Sequence, residues 1–335
     1  MLQISFGEFE IANRKKRTKR DEFLRMMTNI VPWDVICAII IPFYHANQQT
    51  GRKPKSLIIM LKMYLLQLWF ATSDEGTEDM IYDSMACQTF MGINFTGREQ
   101  VPDSTCLEDF RHLIEAHDLA DKIFKSINEI LESQGLIMRG GTITDATIID
   151  APSSTKNAKK ERDPEMKSTK KGNNYRFGGK IHTGTDAGGG AVVNVEMTAA
   201  NEHDITQAHH CYREDDDVRY GDAAFIGAEK RPEIKEMDEA NRDKRTQDEV
   251  RYETNKRPKS RTEKPANPEA INWEKVIEQK KSRVRCKCEH PFRIAKRIFG
   301  MDRCIYRGIA KNLTRAKMVF MSVNLYMFRE RLRCC

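Results

Sequence analysis

The sequence predicts an α/β fold in two parts: an all-helical domain over residues 1–136, then an α/β domain over residues 137–335 with a charged insertion near 229–270. Three observations predict it. The first ~135 residues carry long Leu/Met-rich apolar runs without the Gly and Pro punctuation of strands. At Gly140-Gly141 the pattern changes to short β-branched segments parted by glycine turns. From 229 to 268 Glu, Asp, Lys and Arg dominate, with Pro232, Pro258, Pro265 and Pro268 among them.

Each helix in the first part has its own signal. Residues 57–71 are the most apolar stretch. They fall short of the ~20 residues a membrane-spanning helix needs and include Lys62, so they read as a buried core helix. Thr105 to Glu108 fits a capping box, with Pro102 and Asp103 just before it. Leu107, Phe110, Leu113 and Ile114 then recur at helical spacing. A further helix over residues 119–131 ends near Gly135. This part offers packing, DNA contact or dimerisation, and no catalytic cluster.

In the second part, residues 142–149 (TITDATII) are β-branched and closed by Pro152, which makes a strand. Residues 153–174 are polar and lysine-rich and read as a loop. Two strands follow, 175–185 and 191–197, joined by the hairpin turn Asp186-Ala187-Gly188-Gly189-Gly190. A short helix fits 204–212, and another strand 218–222. Strand, hairpin, helix, strand is the order that opens an RNase H-like α/β domain. The insertion is too polar to bury a core and reads as partly helical. Helix resumes near Ile271 through Lys296, with Pro291 as a break, and a last helix spans residues 309–332. Its apolar face carries Leu313, Ala316, Phe320, Val323 and Met327, with Lys311, Arg315, Lys317 and Arg329 elsewhere.

Charge and cysteine narrow the class. The balance of 56 Lys+Arg against 49 Asp+Glu gives +7. The excess is clustered: Arg14 to Arg17 with Lys19 and Arg20, then Lys156, Lys159, Lys160, Lys167, Lys170 and Lys171, and again near the C-terminus. Such clusters neutralise phosphates and release counterions, which supplies DNA affinity without sequence preference. Nine irregularly spaced cysteines are no disulfide framework in a chain this long. With a polar opening and no spanning segment, the expectation is a cytoplasmic, soluble protein without a membrane partner.

The candidate chemistry lies in carboxylates. Phosphodiester chemistry with two metal ions needs acids from separate elements, the ions ~3.5–4 Å apart, and Mg²⁺ favours carboxylate oxygens. An RNase H-like sheet supplies an Asp in its first strand, another at the end of its fourth, and an acid on a later helix. Asp145 and Asp222 fit the first two. Asp145 shares a face with Ile143, Thr147 and Ile149, whereas Asp150 points to the other face and is the weaker candidate. Glu289 fits the third, with Arg285 and Lys296 at offsets that return to one helical face and suit phosphate binding. Lys156, Lys170, Lys171 and Lys180 are further DNA-binding candidates, and His182 beside Lys180 an accessory one. Cys286, Cys288 and His290 form the competing reading, a structural zinc site, but lack a second ligand pair.

These residues resemble the DDE transposases of bacterial insertion sequences, in the branch named after insertion sequence five. The similarity runs from Val31-Pro32-Trp33 through Asp145-Ala146-Thr147, Gly221-Asp222-Ala223 and Glu289-His290-Pro291-Phe292 to Lys311-Asn312. The family signature R-x₃-E-x₆-K falls on Arg285, Glu289 and Lys296, while its leading tyrosine falls on Ser282, and Ala224-Phe225 replaces the more usual Gly-Tyr. The resemblance implies Asp145, Asp222 and Glu289 as ligands to two Mg²⁺ ions, with Mn²⁺ as a substitute. It implies cleavage at element ends and strand transfer into double-stranded target DNA. It further implies a homodimer or larger assembly on paired ends, at the bacterial nucleoid. A non-catalytic DNA-binding descendant and a metal-dependent nuclease that cuts without joining are the alternatives.

Overall fold

A computed structural model describes residues 15–44, 55–93, 100–156, 160–247, 249–256 and 273–333. The chain divides into two compact units. The first takes in the described residues of Met1–Gln67, Thr72–Arg111 and Arg329–Cys335, the second those of Leu68–Ala71 and His112–Phe328. The division falls earlier than the boundary at 136/137 read from sequence.

The first unit is helical, as expected. It is built from α1 (Lys19–Ile30), α2 (Trp33–Tyr44), most of α3 (Leu57–Phe70), α4 (Asp74–Asp83), α5 (Met85–Met91), the start of α6 (Ser104–Ala116) and the short helix Arg329–Leu332. Side-chain oxygens of Thr18 and Ser73 cap α1 and α4, satisfying amides with no partner inside the helix. The cap of α6 is Asp103, whose carboxylate accepts from Cys106 N at 2.8 Å, so the helix begins ahead of the Thr105–Glu108 box. Leu24, Met27, Ile36, Ile40, Leu61 and Leu65 are fully buried. Lys62, the one charge in the apolar run, lies 5.7 and 5.3 Å from the ring centres of Trp33 and Phe90. The buried Arg111 is held by Asp74 through two bonds of 2.5 and 3.2 Å.

The second unit is a mixed sheet with helices. Its strands are β1 (Thr142–Asp150), β2 (Lys167–Lys171), β3 (Asn174–Asp186), β4 (Val192–Ala199), β5 (Val218–Gly221) and β6 (Arg251–Thr254). The order is β2-β3-β1-β5-β6, with β4 also on β3. β1, β3 and β4 pair antiparallel, while β5 and β6 continue the sheet in parallel. With the short β2 set aside, this is the RNase H-like arrangement. Its helices are α7 (Leu119–Ser133), the single turn α8 (Ala208–Cys211), α9 (Pro232–Ala240), α10 (Trp273–Arg285), α11 (Glu289–Arg297) and α12 (Ile309–Met327). α7 belongs here because its apolar stripe of Leu119, Ile123, Ile127 and Leu131 is buried and because Lys317 of α12 bonds Asp121 at 2.6 Å. Asn324 of α12 grips the edge of β4, accepting from Val192 N at 2.9 Å and donating to Val192 O at 2.7 Å.

Two sequence expectations need correction. Residues 167–171 are a strand and not part of a loop: Gly172 takes φ +62° at the first position of a two-residue turn, a role suited to glycine, and folds β2 onto β3. The charged insertion does bury a core. Ile234 is fully buried in a cluster with Ala208, Tyr212, Phe225 and Ala228, and β6 joins the sheet beside β5. Its anchor is polar, which hid it from a count of apolar residues. Arg219 of β5 is buried between the rings of Tyr212 and Tyr252, 4.5 and 5.5 Å from their centres, and pairs with Asp238 at 2.8 Å. Residues 257–272 of the insertion lie outside the described residues. Arg315 of α12 is buried, donating to the carbonyls of Arg303 and Gly300 at 3.0 Å each.

Candidate active site

The parallel pairing of β1 and β5 creates the site. Thr142 sits opposite Arg219, Ile143 opposite Tyr220 and Thr144 opposite Gly221, so the next residues along, Asp145 and Asp222, are neighbours across the strands. Gly221 is needed here: a Cβ on it would stand 2.9 Å from that of Phe225 and block the tight turn that follows. Asp222 then caps that turn, accepting from Ala224 N at 2.8 Å. Asp145 faces the same side of the sheet as Ile143 and Thr147, opposite Thr183 of β3. Burial raises its carboxyl above the usual range and the charge of Asp222 pushes the same way, against a bond from Cys288, one from Ala146 N and the charge of Arg285. Two carboxylates that raise each other's cost of ionisation are relieved by a cation between them.

The segment 273–297 lies over this face. It runs as α10, a 3₁₀ turn Cys286–Cys288, and α11, with Pro291 in the first turn of α11 where no amide donor is required. Cys288 is fully buried beside Ile143 and Ala187. Its thiol lies 3.2 Å from Asp145 Oδ2 and 2.9 Å from the Arg285 carbonyl. Sequence reading weighed Cys288 only as a zinc ligand; its spacing from Arg285, three residues on one helical face, was the available signal for this contact. Arg285 is half-buried, and its Nε is buried with no hydrogen-bond partner among the described residues. Lys296 reaches β1 from α11, donating to Thr147 Oγ1 at 2.5 Å and Ile148 O at 3.2 Å.

The other candidates divide. Glu289 is the first, exposed residue of α11. Among the described residues, no three His, Cys, Asp or Glu groups stand close enough to hold an ion. That applies both to the three acids and to Cys286, Cys288 and His290. Asp145 and Asp222 are close enough for the charge of one to act on the other, and Glu289 is one residue beyond the Cys288 contact. Lys156 and Lys170 are exposed. Lys171 ends β2, and its side chain lies outside the described residues. Lys180 and His182 sit opposite Ile148 and Ala146, on the face away from Asp145. Lys180 is taken up by Asp204 at 2.8 Å and the Glu202 carbonyl at 2.6 Å. His182 is fully buried against Thr198 at 2.8 Å, and burial lowers its pKa to about 4.

The family model described as Transposase DDE domain matches residues 138–325, the span that holds all of these groups. The chain belongs to the DDE transposase family. A second model, Transposase domain (DUF772), matches residues 12–113 of the transposase, over the helical part. No solved structure matches the chain. Membership makes the protein a DNA-binding transposase of a family that uses divalent metal ions. Among the described residues no single helix of this transposase is long and apolar enough to cross a membrane.

Proposed function

We propose that this transposase cleaves DNA at the ends of a mobile element and joins the freed 3′-hydroxyl to target DNA, as in the branch named after insertion sequence five. The observation that carries the reading is the side-by-side placement of Asp145 and Asp222 on adjacent parallel strands, with Arg285 beside them. Asp145, Asp222 and Glu289 are the residues that would hold Mg²⁺, with Mn²⁺ able to replace it. When bound, the ions activate the attacking oxygen and stabilise the leaving one. Arg285 would supply charge to a phosphate entering beside Asp145, its buried Nε having no other partner among the described residues. Lys296 fixes Thr147 and with it the strand that bears Asp145. The same reading has the protein working at the nucleoid as a homodimer or larger assembly, each subunit engaging double-stranded DNA through lysines such as Lys156 and Lys170.

The test is a cleavage and joining assay on DNA carrying the element's own ends, with Mg²⁺ or Mn²⁺, comparing the wild type with Asp222→Ala. Metal-dependent nicks and joined products, lost in the variant, are expected. Nicks without joined products would mark a nuclease, and DNA binding without chemistry a descendant that only binds.

A further inference from the structure

The β2–β3 hairpin has two unlike faces. Side chains alternate along a strand and paired residues share a face. On one face Arg176 bonds Asp150 through Nε and Nη2, at 2.8 and 2.5 Å, which ties the hairpin to β1. On the other face stand Tyr175 and Phe177, two residues apart on β3, with Lys170 directly across from Tyr175. Tyr175 is 75% exposed, the most exposed large apolar side chain among the described residues. Lys170 Nζ lies 5.6 Å from its ring centre, and the Arg162 guanidinium 5.4 Å from that of Phe177. The acids nearby are turned away: Asp163 and Glu165 accept from Gly308 N and Ile309 N at the start of α12. The face is left as two aromatic rings flanked by cations.

The strand that bears this face runs on to the site, with Ile181 and Thr183 buried along the way. Along β3, Tyr175, Phe177, Gly179, Ile181 and Thr183 point the same way, and Thr183 is the partner of Asp145. At ~3.4 Å per residue, eight residues put Tyr175 about 27 Å from Thr183 along one strand. Rings at alternate positions, Tyr175 exposed and Phe177 half-buried, with a cation against each suit stacking of unpaired bases over a phosphate backbone, since every base offers a π-face and the cations neutralise phosphates. A duplex, whose bases already stack on one another, offers such rings nothing to cover.

We propose that the face of the β2–β3 hairpin bearing Tyr175 and Phe177 is a stacking platform for unpaired bases of a DNA strand. The inference rests on the reading that this chain opens DNA ends. Its test is binding by the full-length protein, measured by fluorescence anisotropy with a labelled single-stranded oligonucleotide and with the duplex of the same sequence. Tyr175→Ala should weaken single-strand binding about tenfold and change duplex binding by less than about twofold. Tyr175→Phe should restore wild-type binding, because the ring and not the hydroxyl is used. Phe177→Leu, which keeps apolar bulk and removes the ring, should also weaken single-strand binding selectively. Unchanged single-strand binding by Tyr175→Ala overturns the proposal, as does an equal loss on both DNAs or failure of phenylalanine to rescue. The readout needs no metal and no cleavage, so a protein with the selective loss but no strand transfer refutes the transposition chemistry and leaves the platform standing.

Discussion

Replacing Asp216 with asparagine should stabilise the transposase at neutral pH and leave it unchanged in acid. Asp216 precedes β5, is 4% exposed, and accepts from Arg213 N at 2.9 Å. Burial pushes its carboxyl from an ordinary 3.8 to about 6, against the bond from Arg213 N and the charges of Arg219 and Arg213. Below pH 3.8 the group is protonated whether the chain is folded or not. As pH rises from 3.8 to about 6 the unfolded chain sheds this proton first, and the folded state loses about 3 kcal/mol by the time the folded carboxyl is ionised. Asparagine keeps an acceptor for Arg213 N and carries no charge, so ~3 kcal/mol is the ceiling of its gain. Urea denaturation of both proteins at neutral pH and near pH 3 measures it. A variant less stable than wild type at neutral pH would refute the reasoning, because the charges of Arg219 and Arg213 would then outweigh the cost of burial.

Other outcomes follow from the site and its supports. Asp145→Asn should abolish metal-dependent cleavage yet raise the thermal midpoint at neutral pH, since burial and Asp222 both penalise its charge; the two assays run on one preparation. Cys288→Val should raise the Mg²⁺ needed for half-maximal cleavage about tenfold, as losing a partner of a metal ligand commonly does, whereas Cys288→Ser keeps a donor for Asp145 and should stay near wild type. Asn324→Leu removes the side-chain acceptor of Val192 N and one of two side-chain donors to Val192 O, which Asn128 still bonds at 3.1 Å, and should cost ~1–3 kcal/mol in urea denaturation, the penalty of burying an unpaired amide group. Lys296→Met should slow cleavage while retaining duplex binding, because its ammonium is spent on Thr147 and Ile148; matched binding and cleavage measurements separate the two.

Where pattern and physics coincide, the sequence was informative. The β-branched run around Asp145 and the glycine turn after Asp186 were readable as strands because alternation and turn chemistry are local. The sheet order was reachable only through the order of elements. Residues 229–256 were misread because their core is organised by a buried cation between two tyrosines, and Arg219 looks in sequence like any surface arginine. The Lys-rich strand β2 has no apolar alternation at all; it exists because β3 offers it a partner. At the site, the period-two rule placed Asp145 and Asp150 on opposite faces correctly. The same rule, applied to β3 from its register with β1, puts His182 and Lys180 behind the sheet, and that register is not visible until the strands are paired. Glu289 was identified by the signature motif, whereas the contact to Asp145 belongs to the cysteine before it.

The pairing of Asp145 with Asp222 spans 77 positions of chain, and β1 and β5 run in parallel, so no hairpin can bring them together. The intervening β2, β3 and β4 must be laid down first, and the segment that carries Arg285 and Cys288 is synthesised later still. A growing chain acquires its exposed lysines and its aromatic hairpin long before it acquires a pair of neighbouring acids. Pairings of such long range also form slowly, because the loop they close is costly in entropy before any contact rewards it. The neighbouring acids are therefore among the last features the polypeptide gains as it folds, after the strands that carry its lysines and its aromatic hairpin.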